Sequence, residues 1–247
     1  MIYEDMNLIH ITETESTNQY LQMLTLSEKL TDETVLLTDI QTAGRGQLGN
    51  SWESEPCKNL TFSILCYPKQ LPANQPFIIA ELAALCVKRI LDKYVSGITV
   101  KWPNDIYWKD KKICGILIEN FLSEGLINQS IIGIGVNLNQ EKFMSNAYNP
   151  VSLRQITGET YDRLEVLNAL TTSFHEIRKH FESGGLASIH CAYMDSLYRS
   201  GGYFLYRDEN GEFEARIHHV ELSGYLVLER RNGELSQYAF KEVTFIP

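Results

Sequence analysis

The sequence predicts an α+β protein in which a mixed, mostly antiparallel sheet packs against helices and a small β domain follows. Two observations support this fold class. Strand-like apolar runs and helical apolar stripes share the long first part of the chain, whereas short alternating runs between turn sequences fill its end. Because the pattern changes near residues 198–200, we predict a first domain over residues 1–198 and a second over residues 199–247.

The strands of the first domain are predicted from apolar runs. Residues 8–11 form a short run, after which Ser16 with Gln19 fits a capping box that opens a helix ending near Leu30. Residues 109–111 have the composition of a hairpin turn. The other predicted strands are β-rich or continuously apolar and cover residues 34–40, 60–67, 98–102, 106–108, 113–119 and 127–138.

Apolar residues at helical spacing predict three more helices. The first covers residues 72–94. The second begins at Asp162, which fits another capping box with Glu165, and ends near residue 181. The third is shorter and covers residues 186–197.

The end of the chain predicts the small β domain. From residue 201 onward, short alternating runs are broken by turn sequences at residues 208–211, 223–224 and 231–233. Turn sequences at intervals of about ten residues are typical of all-β domains. We therefore expect an open barrel or a sandwich.

Composition and charge narrow the function classes. The 247 residues carry a formal net charge of −9, and binding to DNA or to anionic membranes requires clustered Lys and Arg, so we expect neither as a partner. No apolar run reaches the roughly 18–20 residues of a membrane-spanning helix. Glu4 and Asp5 are not typical of a signal peptide. The five cysteines form no C-x-x-C pair, which predicts reduced thiols, no zinc site and a cytoplasmic location.

A glycine-rich segment follows the strand predicted at residues 34–40. Residues 44–49 match G-x-G-x-x-G, but the sequence after them is polar and reaches Pro56 without a helical pattern, so a dinucleotide-binding site is excluded. A P-loop is excluded as well, since no Gly-Lys-Ser/Thr is present. Residues 41–58 are therefore a long loop of functional or mobile character. Arg45 between two glycines is either an anion ligand or an incidental surface residue.

A lysine stands where the strand at residues 98–102 ends. Pro103 stops ladder pairing, so Lys101 can project its ammonium into a cleft and stabilise negative charge on a phosphoryl or carbonyl oxygen. The alternative is a lysine whose stem lies beside a packed Trp102.

Considered together, these segments resemble the signatures of biotin–protein ligases. Five segments agree with that family in order and spacing, at residues 15–18 (E-S-T-N), 44–52, 101–105 (K-W-P-N-D), 114–119 (C-G-I-L-I-E) and 133–137 (G-I-G-V-N). The layout of the C-terminal β domain is similar too. The resemblance implies a class II synthetase-like catalytic domain followed by an SH3-like β-barrel domain.

The resemblance also implies the reaction. Biotin and ATP with Mg²⁺ give biotinyl-5′-AMP, and biotin then passes to a lysine of a biotin carboxyl carrier protein of the acetyl-CoA carboxylase type. Lys101 and Arg45 are implied as catalytic residues. The implied biotin-binding residues are Ser16, Thr17, Asn18, Gln41, Gly44, Gly46, Gln47 and Gly115, and the implied adenylate-binding residues are Arg45, Trp52, Lys101 and Asn137.

Two features depart from the family pattern. Many members have a second arginine where this chain has Gln47, which predicts a less tightly retained adenylate. Some members carry an N-terminal DNA-binding domain, and Ser16 lies so early in this sequence that we expect a ligase without one.

Two other functions are compatible with the residues. A lipoate or octanoate transferase would share the fold, but the R-R-x-x-G-G-G type of loop found in those families is absent from the sequence. A non-catalytic biotin-binding module would not need both Arg45 and Lys101. The sequence leaves open whether the chain forms a homodimer and which ligands would hold the metal.

Overall fold

The computed structural model describes residues 7–144 and 149–246, so Glu4 and Asp5 lie outside the described residues. The strands of the larger sheet are β1 (Leu8–Thr14), β2 (Val35–Gln41), β3 (Leu60–Cys66), β4 (Leu71–Pro72), β5 (Ile98–Lys101), β6 (Asp105–Trp108), β7 (Lys111–Ser123) and β8 (Leu126–Val136). Their order is β1-β2-β3-β8-β7-β6-β5, and β4 pairs with β8. Strands β1 and β2 are parallel and the other pairs are antiparallel, which confirms the predicted mixed sheet.

Five helices accompany the strands of the described residues. They are α1 (Thr17–Ser27), α2 (Phe77–Leu91), α3 (Leu153–Thr157), α4 (Arg163–Glu182) and α5 (Leu186–Asp195). Helix α3 was missed because five residues are too few to carry an apolar stripe. It begins with a capping box in which Gln155 N donates to Ser152 Oγ at 3.1 Å and Ser152 N donates to Gln155 Oε1 at 3.0 Å.

The start predicted for the helix over residues 72–94, which corresponds to α2, is wrong. The helical pattern was extended back to residue 72, but Pro72 belongs to strand β4, where it pairs with Leu126. Pro76 disfavours helical backbone at the residue before it, so α2 begins at Phe77. Asp162 caps α4, with its carboxylate accepting from the backbone N–H of Leu164 at 2.7 Å, but the Glu165 side chain does not complete the predicted capping box.

The two faces of the large sheet are packed differently. Alternate residues of each strand point to opposite faces, so Val35 and Leu37 join the main core beneath α2, while Leu36 joins a small cluster beneath α1 with Leu21. Helix α2 itself packs against α4 and α5. Because α1 covers only part of its face, the remainder of that face is open to form a site.

Arg178 of α4 fastens the helical layer to the segments that precede β2 and follow β3. Its side chain is 7% exposed, and its guanidinium lies 2.6 Å from Asp32 Oδ2, 3.1 Å from Glu33 Oε1 and 3.0 Å from Glu182 Oε1. It also donates to the carbonyl oxygen of Tyr67 at 3.0 Å. A buried cation with this many acceptors is compensated for the water it has lost.

A second buried ionisable group lies between α2 and α5. Glu81 is fully buried, and its Oε1 lies 2.7 Å from Nδ1 of His190. Its other carboxylate oxygen has no hydrogen-bond partner among the described residues. Burial raises the pKa of Glu81, and the hydrogen bond with His190 opposes that rise.

The predicted β domain forms a separate antiparallel sheet. Its strands are β9 (Phe204–Asp208), β10 (Gly211–Val220), β11 (Leu226–Arg230), β12 (Leu235–Tyr238) and β13 (Thr244–Phe245), in the order β12-β11-β10-β9-β13. The three predicted turns join the consecutive strands from β9 to β12. Trp102 ties this sheet to the larger part, because its Nε1 donates to the carbonyl oxygen of Gly224 at 3.0 Å. The domain boundary at residues 198–200 stays a prediction.

No helix of the described residues is long and apolar enough to cross a membrane.

Candidate functional site

A cavity opens on the sheet face that α1 leaves uncovered. It lies between the start of α1, the loop after β2 and the paired strands β7 and β8. The structure brings nine of the predicted site residues to its walls, namely Ser16, Thr17, Asn18, Gln41, Arg45, Gly46, Gln47, Trp52 and Gly115. Gly44, Lys101 and Asn137 lie outside its lining.

Glycines form the floor of this cavity. Gly115 of β7 and Gly135 of β8 are paired across the ladder, and Gly133 lies on the same face. The Trp52 ring lies directly on the pair, since a Cβ at Gly115 would be 2.9 Å from Cζ3 of Trp52 and one at Gly135 would overlap the indole. A Cβ at Gly133 would overlap the Asn18 amide. Glycine is therefore required for either side chain to reach the strands.

One end of the cavity is a network of neutral polar groups. Ser63 Oγ lies 2.7 Å from Thr17 Oγ1 and 2.6 Å from Asn18 Oδ1. The Asn18 amide nitrogen donates to Glu119 Oε2 at 2.8 Å, which fixes its orientation. The network is buried and presents hydroxyl and amide groups, which suit an uncharged polar ligand. Ser63 was not predicted, because strand periodicity marks it only as a small strand residue.

The predicted capping box at the start of α1 is wrong. Ser16 stands at the N-cap position with extended backbone, but its side chain makes no capping hydrogen bond. Gln41 at the end of β2 takes this role, since its Oε1 accepts from Thr17 N at 3.0 Å. A residue distant in sequence has thus satisfied an N–H of the helix end that has no partner within the helix, and Ser16 is left to line the cavity.

The glycine-rich loop closes on itself as a flap. Gly46 N donates to the carbonyl oxygen of Asn50 at 2.6 Å, Trp52 N donates to that of Gly44 at 2.9 Å, and Arg45 bridges to Ser51. A short 3₁₀ turn, Gln47–Gly49, forms the tip. The segment predicted to be aperiodic is therefore a narrow hairpin, and Gly44 acts at its base rather than in the cavity.

Arg45 is held loosely above the cavity. Its guanidinium lies 3.6 Å from Glu119 Oε1, and its side chain is 40% exposed. The same Glu119 carboxylate also accepts from Asn18. Five N–H donors with one distant carboxylate leave most of the guanidinium available for an anion.

Lys112 is the cation that sequence reasoning missed. Its Nζ lies 2.7 Å from Asp105 Oδ1 and 5.7 Å from the centroid of the Trp52 ring, and both Lys112 and Asp105 line the cavity. Strict alternation would point residues 112 and 115 to opposite faces of the sheet. A register shift against β6 skips Ile113, so Lys112 reaches the same face as Gly115.

Lys101 is located beneath the C-terminal sheet instead. Its Nζ donates to Tyr107 Oη at 3.1 Å and lies 4.8 Å and 5.3 Å from the ring centroids of Tyr107 and Phe245. Burial lowers the pKa of Lys101, and the nearby Asp105 opposes that change. The catalytic role predicted for Lys101 stays a prediction.

The turn between β5 and β6, which follows Lys101, connects the cavity to other elements. The peptide bond between Trp102 and Pro103 is cis. The side-chain amide of Asn104 donates to the carbonyl oxygen of Ile116, which fastens the turn to β7. Phe240 extends from the C-terminal sheet region into the cavity lining. No sequence signal distinguished this phenylalanine from core residues.

Three predicted site residues hold buried polar atoms that have no hydrogen-bond partner among the described residues. They are Gln47 Oε1, Trp52 Nε1 and Asn137 Oδ1. The amide nitrogen of Asn137 donates to the carbonyl oxygen of Val151 at 3.2 Å, so that side chain holds the segment after β8. Each unpartnered buried group costs about 1–3 kcal/mol, which a ligand with the matching donor or acceptor would recover.

The side chains of the cavity offer few of the ligands that a metal ion requires. No group of three or more His, Cys, Asp or Glu side chains suited to a metal occurs within residues 7–144 and 149–246. The cavity lining contributes one carboxylate, Asp105. Mg²⁺ commonly binds through one or two carboxylates together with substrate phosphates. The lining therefore fits a Mg²⁺ that arrives with a nucleotide better than a resident metal.

Comparison with known proteins places the chain among relatives of one kind. The sequence pattern of the biotin/lipoate A/B protein ligase family matches residues 11–137. The bifunctional ligase/repressor BirA of Bacillus spizizenii is 29% identical over 94% of this chain and 70% of its own length. The biotin–[acetyl-CoA-carboxylase] ligase of Paracoccus denitrificans is 29% identical over 90% of this chain and 94% of its own length.

A solved structure extends the similarity to the whole fold. The biotin protein ligase of Aquifex aeolicus, in complex with biotin and ATP, superimposes with a TM-score of 0.79 at 28% identity. The match covers 96% of this chain and 97% of that one, so it includes the C-terminal sheet.

Proposed function

Because the chain belongs to the biotin/lipoate A/B protein ligase family, we propose that it is an ATP-dependent biotin–protein ligase that forms biotinyl-5′-AMP and transfers biotin to a lysine. The observation that carries this proposal is the polarity of one cavity. Its closed end offers the neutral groups of Ser16, Thr17 and Asn18, and its outer part offers the cations Arg45 and Lys112. Biotin has a neutral ureido ring at one end and a carboxylate at the other, so it matches both ends.

The first half-reaction brings two anions together. The biotin carboxylate oxygen attacks the α-phosphorus of ATP, the bond to the bridging oxygen breaks, and pyrophosphate leaves. Lys112 and Arg45 would offset the repulsion between carboxylate and phosphate, and Lys112, held by its ion pair, would supply orientation as well as charge. Asp105 orients Lys112 through the 2.7 Å ion pair. Mg²⁺ would supply further neutralisation of the phosphates.

Trp52 and the glycine floor would define the shape of the site. The indole covers Gly115 and Gly135, and its unpartnered Nε1 is positioned to donate to a ligand. The flap that holds Trp52 and Arg45 would close over the adenylate and exclude water from the mixed anhydride. The adenylate contact implied above for Trp52 belongs to this proposal.

The acceptor is proposed to be a biotin carboxyl carrier protein of the acetyl-CoA carboxylase type. This part rests on the relative from Paracoccus denitrificans, whose name includes that carboxylase.

All five cysteines are free thiols, which agrees with the cytoplasmic location predicted above. The homodimer considered above stays a prediction.

Biotin-dependent exchange of labelled pyrophosphate into ATP tests the proposal. Exchange should require biotin, and octanoate or lipoate should not replace it, because neither offers a polar ring to Thr17 and Asn18. Exchange with octanoate alone would support the related transferases instead. Biotin binding without exchange would leave a binding module.

A further inference from the structure

A second groove opens beside the cavity, between the large sheet and the C-terminal sheet. The start of α2, the turn after β5, strand β7 and the turn between β10 and β11 form its walls. It shares three lining residues with the cavity, Gln47, Asn104 and Phe240, so the two spaces meet at those side chains. The function proposed above does not use this groove.

The chemistry of the groove differs from that of the cavity. Phe77, Ala80, Trp102 and Ile118 make its walls apolar, and none of the described residues that line it carries a charged side chain. No lysine or arginine among the described lining residues would offset the charge of a nucleotide's phosphates. It suits a hydrocarbon stem of modest width, such as the four methylenes of a lysine.

The junction with the cavity offers a hydrogen-bond acceptor. The Oε1 atom of Gln47 is buried and has no partner among the described residues, and Gln47 lines both spaces. A buried amide oxygen without a donor is costly, and an amine that arrives along the groove would satisfy it.

We propose that this groove admits the lysine side chain of the acceptor protein, with its ε-amine beside Gln47 and its stem against Trp102 and Phe77. This proposal deepens the proposed function and rests on it. The groove adjoins the cavity that would hold the anhydride at Gln47, Asn104 and Phe240, and an uncharged, largely apolar wall favours a neutral amine over an ammonium. Only the neutral amine is a nucleophile, so the path into the site also activates the lysine.

The transfer step then balances. The ammonium releases one proton to water as it enters the groove, and the amine nitrogen bonds to the carbonyl carbon of biotinyl-5′-AMP. The bond between that carbon and the phosphate oxygen breaks, and AMP leaves with its electron pair. The second proton leaves the new amide nitrogen for water. Gln47 positions the amine and takes no proton.

Filling the groove tests the proposal. Ser223 lines it from an exposed turn, so Ser223→Trp adds bulk to the groove without changing a core residue. We expect kcat/KM for a biotin carboxyl carrier domain to fall about tenfold or more. Reaction of the preformed adenylate with hydroxylamine, which is too small to need the groove, and pyrophosphate exchange should both stay within about twofold of the unmodified protein.

Asn210→Trp is the matched control, because this exposed neutral residue lies in the turn at the far end of β10, about 33 Å along the strand. It should leave every rate unchanged. Unchanged transfer in Ser223→Trp would overturn the proposal, and a raised KM for ATP in pyrophosphate exchange would assign the groove to the nucleotide instead. Failure of exchange in the unmodified protein would contradict the proposed function itself, so the two failures are distinguishable.

Discussion

Two arginines of this protein differ in their burial and in the number of their ion-pair partners. Arg178, in the helical layer, is almost fully buried and has three carboxylates and a carbonyl oxygen around it. Arg45, above the cavity, is 40% exposed and has one carboxylate at 3.6 Å. The charges of the Arg178 cluster have close partners and contribute to stability, whereas the cavity retains cations and polar atoms with few partners. In the cavity, unlike in the core, groups with few partners face a space that a ligand can fill.

The largest expected effect is the loss of stability when Arg178 is removed from its cluster of carboxylates. Arg178→Met leaves Asp32 and Glu33 without their shared cation, and should lower the free energy of unfolding by about 3–5 kcal/mol, as measured by urea denaturation. Arg89→Met removes an exposed pair with Glu176 and should cost less than about 1 kcal/mol. Equal losses in the two variants would contradict the structural role of the cluster.

The next largest effect is the loss of activity when a cation of the cavity is removed, and it compares Lys112 with Lys101. Lys112→Met should lower the rate of biotin-dependent pyrophosphate exchange by about 100–1000-fold, because it deletes a charge that the proposed function places beside the reacting phosphate. Asp105 also loses its ion pair, so we expect a loss of up to about 1 kcal/mol of stability. Lys101→Met is the matched variant. It should cost less activity but about 1 kcal/mol of stability, because it removes the cation held against Tyr107 and Phe245. A larger loss of exchange for Lys101→Met than for Lys112→Met would support the catalytic role predicted for Lys101 and contradict the one proposed for Lys112.

The smallest effect concerns Glu81, a buried charge that is only half satisfied. Burial raises its pKa, so the native state binds this proton more tightly than the unfolded chain does. Stability contributed by the protonated form is present below the unfolded pKa and is lost as pH rises through the raised native pKa. Glu81→Gln keeps an acceptor for His190 and removes the titration, so its stability relative to the unmodified protein should increase over that interval. Parallel profiles of unfolding free energy against pH for the two proteins would contradict this assignment.

Much of the fold could be predicted because it depends on local pattern. Continuous apolar runs gave the central strands, and the turn sequences gave the C-terminal hairpins, with errors at element ends such as the start of α2. Apart from Gly44, the predicted residues of the glycine-rich loop and of the start of α1 also meet in one cavity. Each of these residues lies in a segment whose spacing is informative by itself.

Other features of the site depend on partners distant in sequence. Gln41 replaces Ser16 as the cap of α1 because the parallel pairing of β1 with β2 brings it there. The groove exists because Trp102 binds the turn of the C-terminal sheet at Gly224.

The sequence by itself thus determined most of the elements and most of the segments that meet in the cavity, because apolar periodicity and turn composition act over a few residues. Only the tertiary structure decided which lysine enters the cavity. The register shift of β7 against β6 turns Lys112 to the face of Gly115, and the C-terminal sheet covers Lys101. A ladder irregularity and the packing of a distant sheet are set by contacts across the fold, and a single strand carries no record of either.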